Sequence, residues 1–176
     1  MKLGVVSDTH KHIVNLSKAL ELLKKQGVDK IIHLGDDYTD IDELAERNIV
    51  RVPGVFGEAY QDEKIQNRKV ENYVGWRFLL THTISSHPND QPGDPKPEEL
   101  INDEKVQVVL YGHTHVPEIR QDRQVIFINP GHLKNEDKKG FPPTFGYIEL
   151  SIDRILVRIH ELREGSILKE ERFRKP

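Results

Sequence analysis

Residues 3–10 read LGVVSDTH, a short apolar run that ends in Asp8 and His10. Its apolar and partly β-branched residues are typical of a buried strand. Aspartate and histidine bind metal ions, and residues two apart in an extended backbone point to the same side. The stretch therefore predicts a strand that delivers two ligands to one cation. An isolated pair would also fit a helix cap at Asp8 and a solvated His10.

Other apolar runs end in the same way, and these are residues 31–34 before Asp36, residues 78–80 before His82, and residues 106–110 before His113 and His115. In open α/β sheets, ligands gather outside the carboxyl ends of the strands. Four such strand ends would bring six nitrogen and oxygen ligands into one crevice. The sequence therefore predicts a two-metal hydrolytic site.

The segment 112–115, with the sequence GHTH, is the sharpest of these signals. Two imidazoles that are separated by one residue after a glycine turn can serve adjacent metals. Asp36 follows Gly35 directly after a strand, and its two carboxylate oxygens can bridge two cations. The neighbouring Asp37 competes for this role, and either aspartate also fits a helix cap near Thr39. The local pattern alone leaves the choice open.

The composition limits the chemistry. The chain of 176 residues contains no cysteine, so thiol chemistry and thiolate zinc sites are excluded, and histidine, carboxylate or amide must hold any metal. The net charge of −3 gives no global field for a polyanion, so no stable nucleic-acid binding is expected. No secretory signal, membrane span or lipidation motif is recognisable, so we expect a soluble cytoplasmic protein without membrane association.

The hydrophobic periodicity predicts an α/β fold. Strands are predicted near residues 3–6, 30–34 and 49–52, with a helix over about 12–26 and a short helix carrying Ile41, Leu44 and Ala45. A hairpin is predicted around Val74 and Gly75, followed by a proline-rich loop, a short helix opening at Pro97, and a mostly β second half. The tail over residues 161–176 fits a terminal strand or a loose end.

Each sheet must cover an apolar face, so these elements predict two sheets packed face to face with helices outside. The length fits one domain over residues 1–176. The sequence pattern does not determine the order of the strands within the two sheets.

The motifs resemble those of the calcineurin-like metallophosphoesterase superfamily, in particular its small bacterial and archaeal phosphodiesterase branch. The resemblance spans nearly the whole chain and rests on residues 7–10, 35–36, His82 and 112–115, with residues 129–131 similar to the turn after the last motif. It implies a four-layer α-β-β-α sandwich of two mixed β-sheets flanked by helices. It also implies a metal-dependent phosphodiesterase acting on a small phosphodiester or nucleotide, in a family whose members commonly form homo-oligomers.

The resemblance further implies a dinuclear centre of two divalent cations, with manganese as the first choice and nickel, iron or zinc as alternatives. A hydroxide that bridges the two metals would attack phosphorus in line. By position in the motifs, one metal would be held by Asp8, His10 and His115, the other by His82 and His113, with Asp36 between them.

The sequence departs from the family in one motif. The family's third motif places an asparagine after a glycine, but residues 54–58 read GVFGE. Valine cannot coordinate a metal, so Glu58, Tyr60, Asp62 or a water would have to take the place of the asparagine. The alternative function is therefore a catalytically weak or inactive metal-binding scaffold or regulatory protein of the same fold.

The remaining polar and aromatic candidates receive no catalytic role. The family's leaving-group acid has no counterpart, and its possible substitutes are interpreted as solvated surface residues: His12, His87, Glu58 and the aspartates of the proline-rich loop. Other side chains are interpreted as structural, and these are His33, His132, His160, Trp76 and Phe78.

Overall fold

The computed structural model describes residues 1–44, 46 and 48–175, and within them the chain forms eleven strands and two α-helices. The strands are β1 (Lys2–Val6), β2 (Lys30–His33), β3 (Ile49–Arg51), β4 (Arg68–Tyr73), β5 (Trp76–Thr81), β6 (Val108–Leu110), β7 (Glu118–Asp122), β8 (Val125–Asn129), β9 (Thr144–Leu150), β10 (Arg154–Glu161) and β11 (Ile167–Arg174). The α-helices are α1 (Ile13–Lys25) and α2 (Pro97–Asn102), and 3₁₀ helices span Asp40–Leu44 and Glu58–Tyr60.

The strands form two mixed sheets. The six-stranded sheet has the order β11-β10-β9-β1-β2-β3, and the five-stranded sheet has the order β4-β5-β6-β8-β7. In the six-stranded sheet β1, β2 and β3 run parallel, and in the five-stranded sheet β5, β6 and β8 run parallel. The six-stranded sheet is mixed because β9 joins β1 in an antiparallel pair, which the sequence pattern did not specify. The predicted fold class, a sandwich of two mixed sheets with helices outside, is confirmed.

Three apolar clusters separate the four layers. The largest lies between the sheets, where Leu3 and Val5 of β1 meet the side of the five-stranded sheet that carries Trp76 and Phe78. A second cluster joins α1 to the outer face of the six-stranded sheet, and a third joins α2 to the outer face of the five-stranded sheet. Trp76 and Phe78 are thus packing residues, as predicted.

The predicted local elements are partly confirmed. The hairpin is present: Val74 and Gly75 connect β4 to β5, and both have positive φ angles, as a two-residue turn of type I′ requires. The segment after β2 is a 3₁₀ helix that ends at Leu44, not an α-helix, and Ala45 lies outside the described residues. The tail contains a strand, because β11 pairs with β10 along its whole length. Within the described residues, no helix is both long and apolar enough to cross a membrane.

His33, at the end of β2, is fully buried, and its ring Nδ1 accepts the backbone N–H of Gly35 at 3.3 Å. Burial is the main influence on this imidazole and lowers its pKa to about 4. The unfolded chain takes up this proton below about pH 6.5, whereas the folded chain does so only near pH 4. His33 therefore stabilises the fold fully above pH 6.5, and that contribution falls as the pH decreases towards 4.

We expect the His33 contribution to the free energy of unfolding to fall by about 3 kcal/mol between pH 7 and pH 4. Urea unfolding at both pH values, with a chelator present, would measure it in the wild type and in His33→Asn. The asparagine oxygen can accept the same N–H of Gly35 but does not titrate, so the variant should lose less stability on acidification. An equal loss in both proteins would contradict the assignment.

Candidate metal centre

The strand ends bring all six predicted ligands to one edge of the sandwich. In β1 and β2, Val6 lies opposite His33, and in β5 and β6, Leu80 lies opposite Leu110. The chain therefore leaves these paired strands at the same level. The first sheet contributes Asp8, His10 and Asp36, and the second contributes His82, His113 and His115.

One group of ligands surrounds a single point. Asp8, His10, Asp36 and His115 each offer an atom, and these four atoms all lie within 4.8 Å of one another. The Nε2 atom of His10 lies 2.8 Å from Asp36 Oδ2 and 3.0 Å from His115 Nε2. The same nitrogen of His115 lies 3.3 Å from Asp8 Oδ1. Two imidazole nitrogens facing each other between two carboxylates form a donor set that suits a divalent cation.

A second group of ligands adjoins the first through Asp36. The Nε2 atom of His82 lies 3.2 Å from Asp36 Oδ1 and 3.3 Å from His113 Nδ1. The two oxygens of Asp36 thus face different histidines, Oδ2 towards His10 and Oδ1 towards His82. This is the placement that a bridging carboxylate needs. Asp37, the alternative that the sequence left open, is not among the four residues of the first group, and within the described residues no histidine forms an ion pair with it.

Backbone contacts hold these side chains in place. The Nδ1–H of His82 donates to the carbonyl of Leu34 at 2.7 Å, which leaves the Nε2 lone pair directed at the site. Asp8 accepts the hydroxyl of Ser7 at 2.5 Å and the backbone N–H of His113 at 3.0 Å. Any Cβ at Gly112 would lie 2.0 Å from Ser7 Oγ, so glycine is required where the two sheets meet.

Backbone strain is concentrated at the ligands. Non-glycine residues rarely adopt positive φ angles, which cost about 1–2 kcal/mol each. Four of the six predicted ligands nevertheless have φ between 45° and 66°, and these are Asp8, His10, His113 and His115. Such strain persists where the fold fixes it, and its concentration here is typical of a functional site.

The electrostatics of the site favour charged carboxylates. Burial alone would raise the pKa of Asp36, but the imidazoles of His10 and His82, which donate hydrogen bonds to it in their protonated forms, outweigh burial and hold that pKa far below its usual value. The hydrogen bond to Asp8 is the main cause that raises the pKa of His115 to about 9, and Asp137 adds to it against the effect of burial. Burial lowers the pKa of His113, which favours a neutral imidazole. Protons would therefore compete with any cation at His115 in particular.

Asp137 is a residue of this site that the sequence analysis missed. Its Oδ2 lies 2.7 Å from His115 Nδ1 and accepts Lys134 Nζ at 3.0 Å. A carboxylate on Nδ1 fixes the ring so that Nε2 faces the metal position. The residue lies in the charged segment 135–139, where nothing in the spacing distinguishes it from its neighbours. His132, which was interpreted as a structural residue, also lies beside this site, because the centre of its ring is 5.5 Å from that of His115.

We expect Asp137→Ala to weaken metal binding at the His115 position by about 10- to 100-fold, because the imidazole loses the partner that orients it and makes it more basic. Competition with a chelating dye would measure the affinity. Glu136→Ala, an exposed change in the same loop, should leave it unchanged. Equal affinities for Asp137→Ala and Glu136→Ala would contradict a positioning role for Asp137.

Within the described residues, the third-motif segment supplies none of the four side chains that form the candidate metal-binding group around His10 and His115. Val55 is buried, and its carbonyl accepts the side-chain amide of Asn89 at 2.9 Å. Of the possible substitutes, Glu58 is exposed, Tyr60 donates its hydroxyl to Asp90 at 2.5 Å, and Asp62 accepts the N–H of Lys64. None of these contacts is directed at the six ligands.

Asn129 supports the turn that carries two of the ligands. Its amide donates to the carbonyl of Gly112 at 2.8 Å and to the hydroxyl of Thr114 at 3.0 Å. Its own carbonyl oxygen accepts the N–H of Gly131 at 2.9 Å. The segment 129–131 therefore holds the His113 and His115 turn in place.

Comparison with known proteins gives consistent matches. Two curated proteins of Methanocaldococcus jannaschii are similar to this chain. One is a phosphodiesterase, 29% identical over 146 residues that cover 74% of this chain and 83% of the relative. The other is a probable metallophosphoesterase, 30% identical over 139 residues that cover 74% of this chain and 67% of the relative.

Solved structures resemble the whole chain. A phosphoesterase from E. coli, Yfce, has a TM-score of 0.71 at 22% identity and covers 97% of this chain and 98% of its own. The structure of an archaeal phosphodiesterase has a TM-score of 0.68 at 25% identity, and the match covers 98% of this chain and 100% of the archaeal chain. Vacuolar protein sorting 29 from Cryptosporidium parvum has a TM-score of 0.70 at 18% identity and covers 99% and 98%. The likenesses at 22% and 18% identity concern the fold alone.

A family model matches most of the chain. The model of the calcineurin-like phosphoesterase superfamily domain covers residues 1–153, a span that includes all six predicted ligands and Asp137. The resemblance inferred from the four motifs is thereby confirmed. The chain belongs to the calcineurin-like phosphoesterase superfamily.

Proposed function

We propose that this protein is a metal-dependent phosphodiesterase with a dinuclear centre. The observation that carries the proposal is the position of Asp36, whose two oxygens face two separate sets of histidines at 2.8 Å and 3.2 Å. A carboxylate in this position can hold two cations side by side. The phosphodiesterase relatives support the diester as the substrate class.

The proposed ligand sets follow the two groups of side chains. Asp8, His10 and His115 would hold one cation, and His82 and His113 would hold the other, with Asp36 shared. The set contains only imidazole and carboxylate groups, which are compatible with several first-row metals. We propose manganese first, with nickel, iron and zinc as alternatives.

The chemistry divides between the cations and the chain. Two bound cations would supply a water of lowered pKa and would neutralise the charge that develops on the phosphate oxygens. The chain keeps its ligands in position before the substrate arrives, through the contacts of His82 with Leu34 and of Asp8 with Ser7 and His113. Such preorganisation avoids a reorganisation cost during the reaction. No side chain is assigned as the acid for the leaving group.

A second candidate is a metal-binding scaffold or regulatory protein of the same fold. Buried Val55 favours it, because this side chain stands where the family pattern has a coordinating asparagine. In that case the His82 and His113 position would bind its cation weakly. The two candidates differ in turnover and in the number of bound metals.

Metal reconstitution separates the two candidates. Chelator-treated protein would be supplied in turn with Mn²⁺, Ni²⁺, Fe²⁺, Zn²⁺ or Mg²⁺, and bound metal per chain would be measured together with hydrolysis of a chromogenic diester and its monoester. Two metals with faster diester than monoester turnover are the expected result. Bound metal without turnover would favour the scaffold, and failure to bind any of the metals would overturn both candidates.

A further inference from the structure

Phe56 is an exposed aromatic side chain at the edge of the metal centre. Its side chain is 75% exposed, although the preceding residues Pro53, Gly54 and Val55 are all buried. The Phe56 ring lies 6.2 Å from the ring of His113 and 5.4 Å from the ring of His87, centre to centre. It therefore stands between a proposed metal ligand and a histidine of the proline-rich loop.

The turn that presents Phe56 is held firmly on both sides. Beside it, Val55 is buried and its carbonyl accepts the amide of Asn89. The N–H of Gly57 donates to the carbonyl of Gly54 at 3.1 Å and closes the turn. The ring is thus presented to solvent by a fixed backbone, so a ligand that packs on it does not first have to order the turn.

The surroundings of Phe56 also orient its ring. The ring of His87 meets it edge to face, with an angle of 88° between the two planes. The backbone N–H of Asn89 donates to His87 Nδ1 at 3.1 Å, which fixes that imidazole in turn. His87 was interpreted as a solvated surface residue, but it is half-buried and packs against Phe56. The pair forms a short aromatic wall, which we define as Phe56 and His87.

A planar group is the partner that this wall suits. Among the described residues, Phe56 is the only aromatic member of the large exposed apolar side chains, and the others, such as Val14 and Ile152, are not aromatic. A phosphate held by a cation at the His82 and His113 position would lie close to Phe56, because the Phe56 ring is only 6.2 Å from that of His113. Aromatic rings stack on such side chains with little dependence on their exact chemistry.

We propose that the aromatic wall of Phe56 and His87 is a subsite for a planar aromatic ring on the phosphate ester, a nucleobase or an aryl group. The inference rests on the proposed function, because a phosphate at the metal centre must bring the ring to the wall. It narrows the substrate class from phosphodiesters in general to esters with a flat aromatic substituent. Phe56 is then a specificity-determining residue of the site.

Equilibrium binding tests the subsite without relying on turnover. Calorimetry on the manganese-loaded protein would compare three monoesters: adenosine 5′-monophosphate, phenyl phosphate and ribose 5-phosphate. We expect Phe56→Ala to weaken binding of one or both aromatic esters about tenfold, in the range known for stacking of a single base. Ribose 5-phosphate should bind within about twofold of the wild type, because it has no ring for Phe56 to contact. Loss for the adenosine ester alone would indicate a nucleobase, and loss for phenyl phosphate alone would indicate an aryl group.

Two control variants test whether the loss of binding is due to the aromatic ring of Phe56. Phe56→Trp keeps a flat ring and should retain the preference for aromatic esters, and Val14→Ala removes an equally exposed apolar side chain and should change nothing. If the wild type binds all three esters and Phe56→Ala leaves their ratios unchanged, the subsite is overturned and the proposed function stands. If the wild type binds none of the three, the subsite is overturned, while the proposed function is decided separately by diester turnover of the metal-loaded protein.

Discussion

Replacing Asp36 with asparagine is expected to lower diester turnover by about a thousandfold, equivalent to about 4 kcal/mol of transition-state stabilisation. Asparagine has the same size, so the fold should be kept, but it has only one oxygen. Its amide nitrogen would face either His10 or His82. Asp36 places a carboxylate oxygen at each of these positions, 2.8 Å from His10 and 3.2 Å from His82. The variant can therefore hold at most one of the two cations in the native way.

Metal content and steady-state kinetics would be measured together on the Asp36→Asn protein. Bound manganese should fall from two per chain to one or fewer, in step with the loss of activity. Asp37→Asn is the matched control, because this neighbour is also acidic but, within the described residues, forms no ion pair with a histidine of the site. It should retain both metals and activity within about twofold, since surface changes usually have small effects. The reverse pattern, with Asp37→Asn inactive, would show that the bridging residue was assigned wrongly.

The second large effect is expected at Arg68, where replacement by methionine should lower the free energy of unfolding by about 3 kcal/mol. The Arg68 side chain is only 1% exposed, and its Nη2 donates to Asp90 Oδ1 at 2.9 Å, with Asp94 at 3.9 Å on its other side. Methionine would fill much of the volume but would leave two partly buried carboxylates without their cation. Removal of one partner of a buried pair is costly for this reason.

Urea unfolding would measure the effect of Arg68→Met. Arg154→Met is the matched control, because the ion pair of Arg154 with Asp153 is exposed and such pairs contribute less than about 1 kcal/mol. The double variant Arg68→Met, Asp90→Asn should recover part of the lost stability, since it removes one of the uncompensated charges. A stability loss at Arg68 no larger than at Arg154 would show that the buried network does not stabilise the fold.

The sequence predicted the ligands well because their position depends on short-range rules. A strand of apolar residues places the residue after it at the edge of the sheet, whatever the partner strands are. Asp8, Asp36, His82 and His113 could therefore be assigned to one crevice before the strand order was known. The structure brings them together as predicted, and their role as metal ligands stays a proposal.

The features that the sequence did not predict depend on long-range contacts. Asp137 reaches His115 only because the loop after β8 folds back over the site, and its neighbours in sequence are just as charged. The antiparallel pairing of β9 with β1 joins strands that are more than a hundred residues apart. The role of His87 depends on its contact with Phe56, and no spacing in the chain indicates that contact.

The origin of the ligands in both sheets has a consequence for the whole sandwich. Each proposed cation would be held by side chains from both sheets. The distances between its ligands would therefore depend on how the two sheets are positioned relative to each other. A substitution deep between the sheets, at Leu3 or Phe78 for instance, would shift the ligands of one sheet relative to those of the other. If the proposed centre binds its metals, we expect their affinity to decrease when the packing between the sheets changes, even at positions that touch neither the metal nor the substrate.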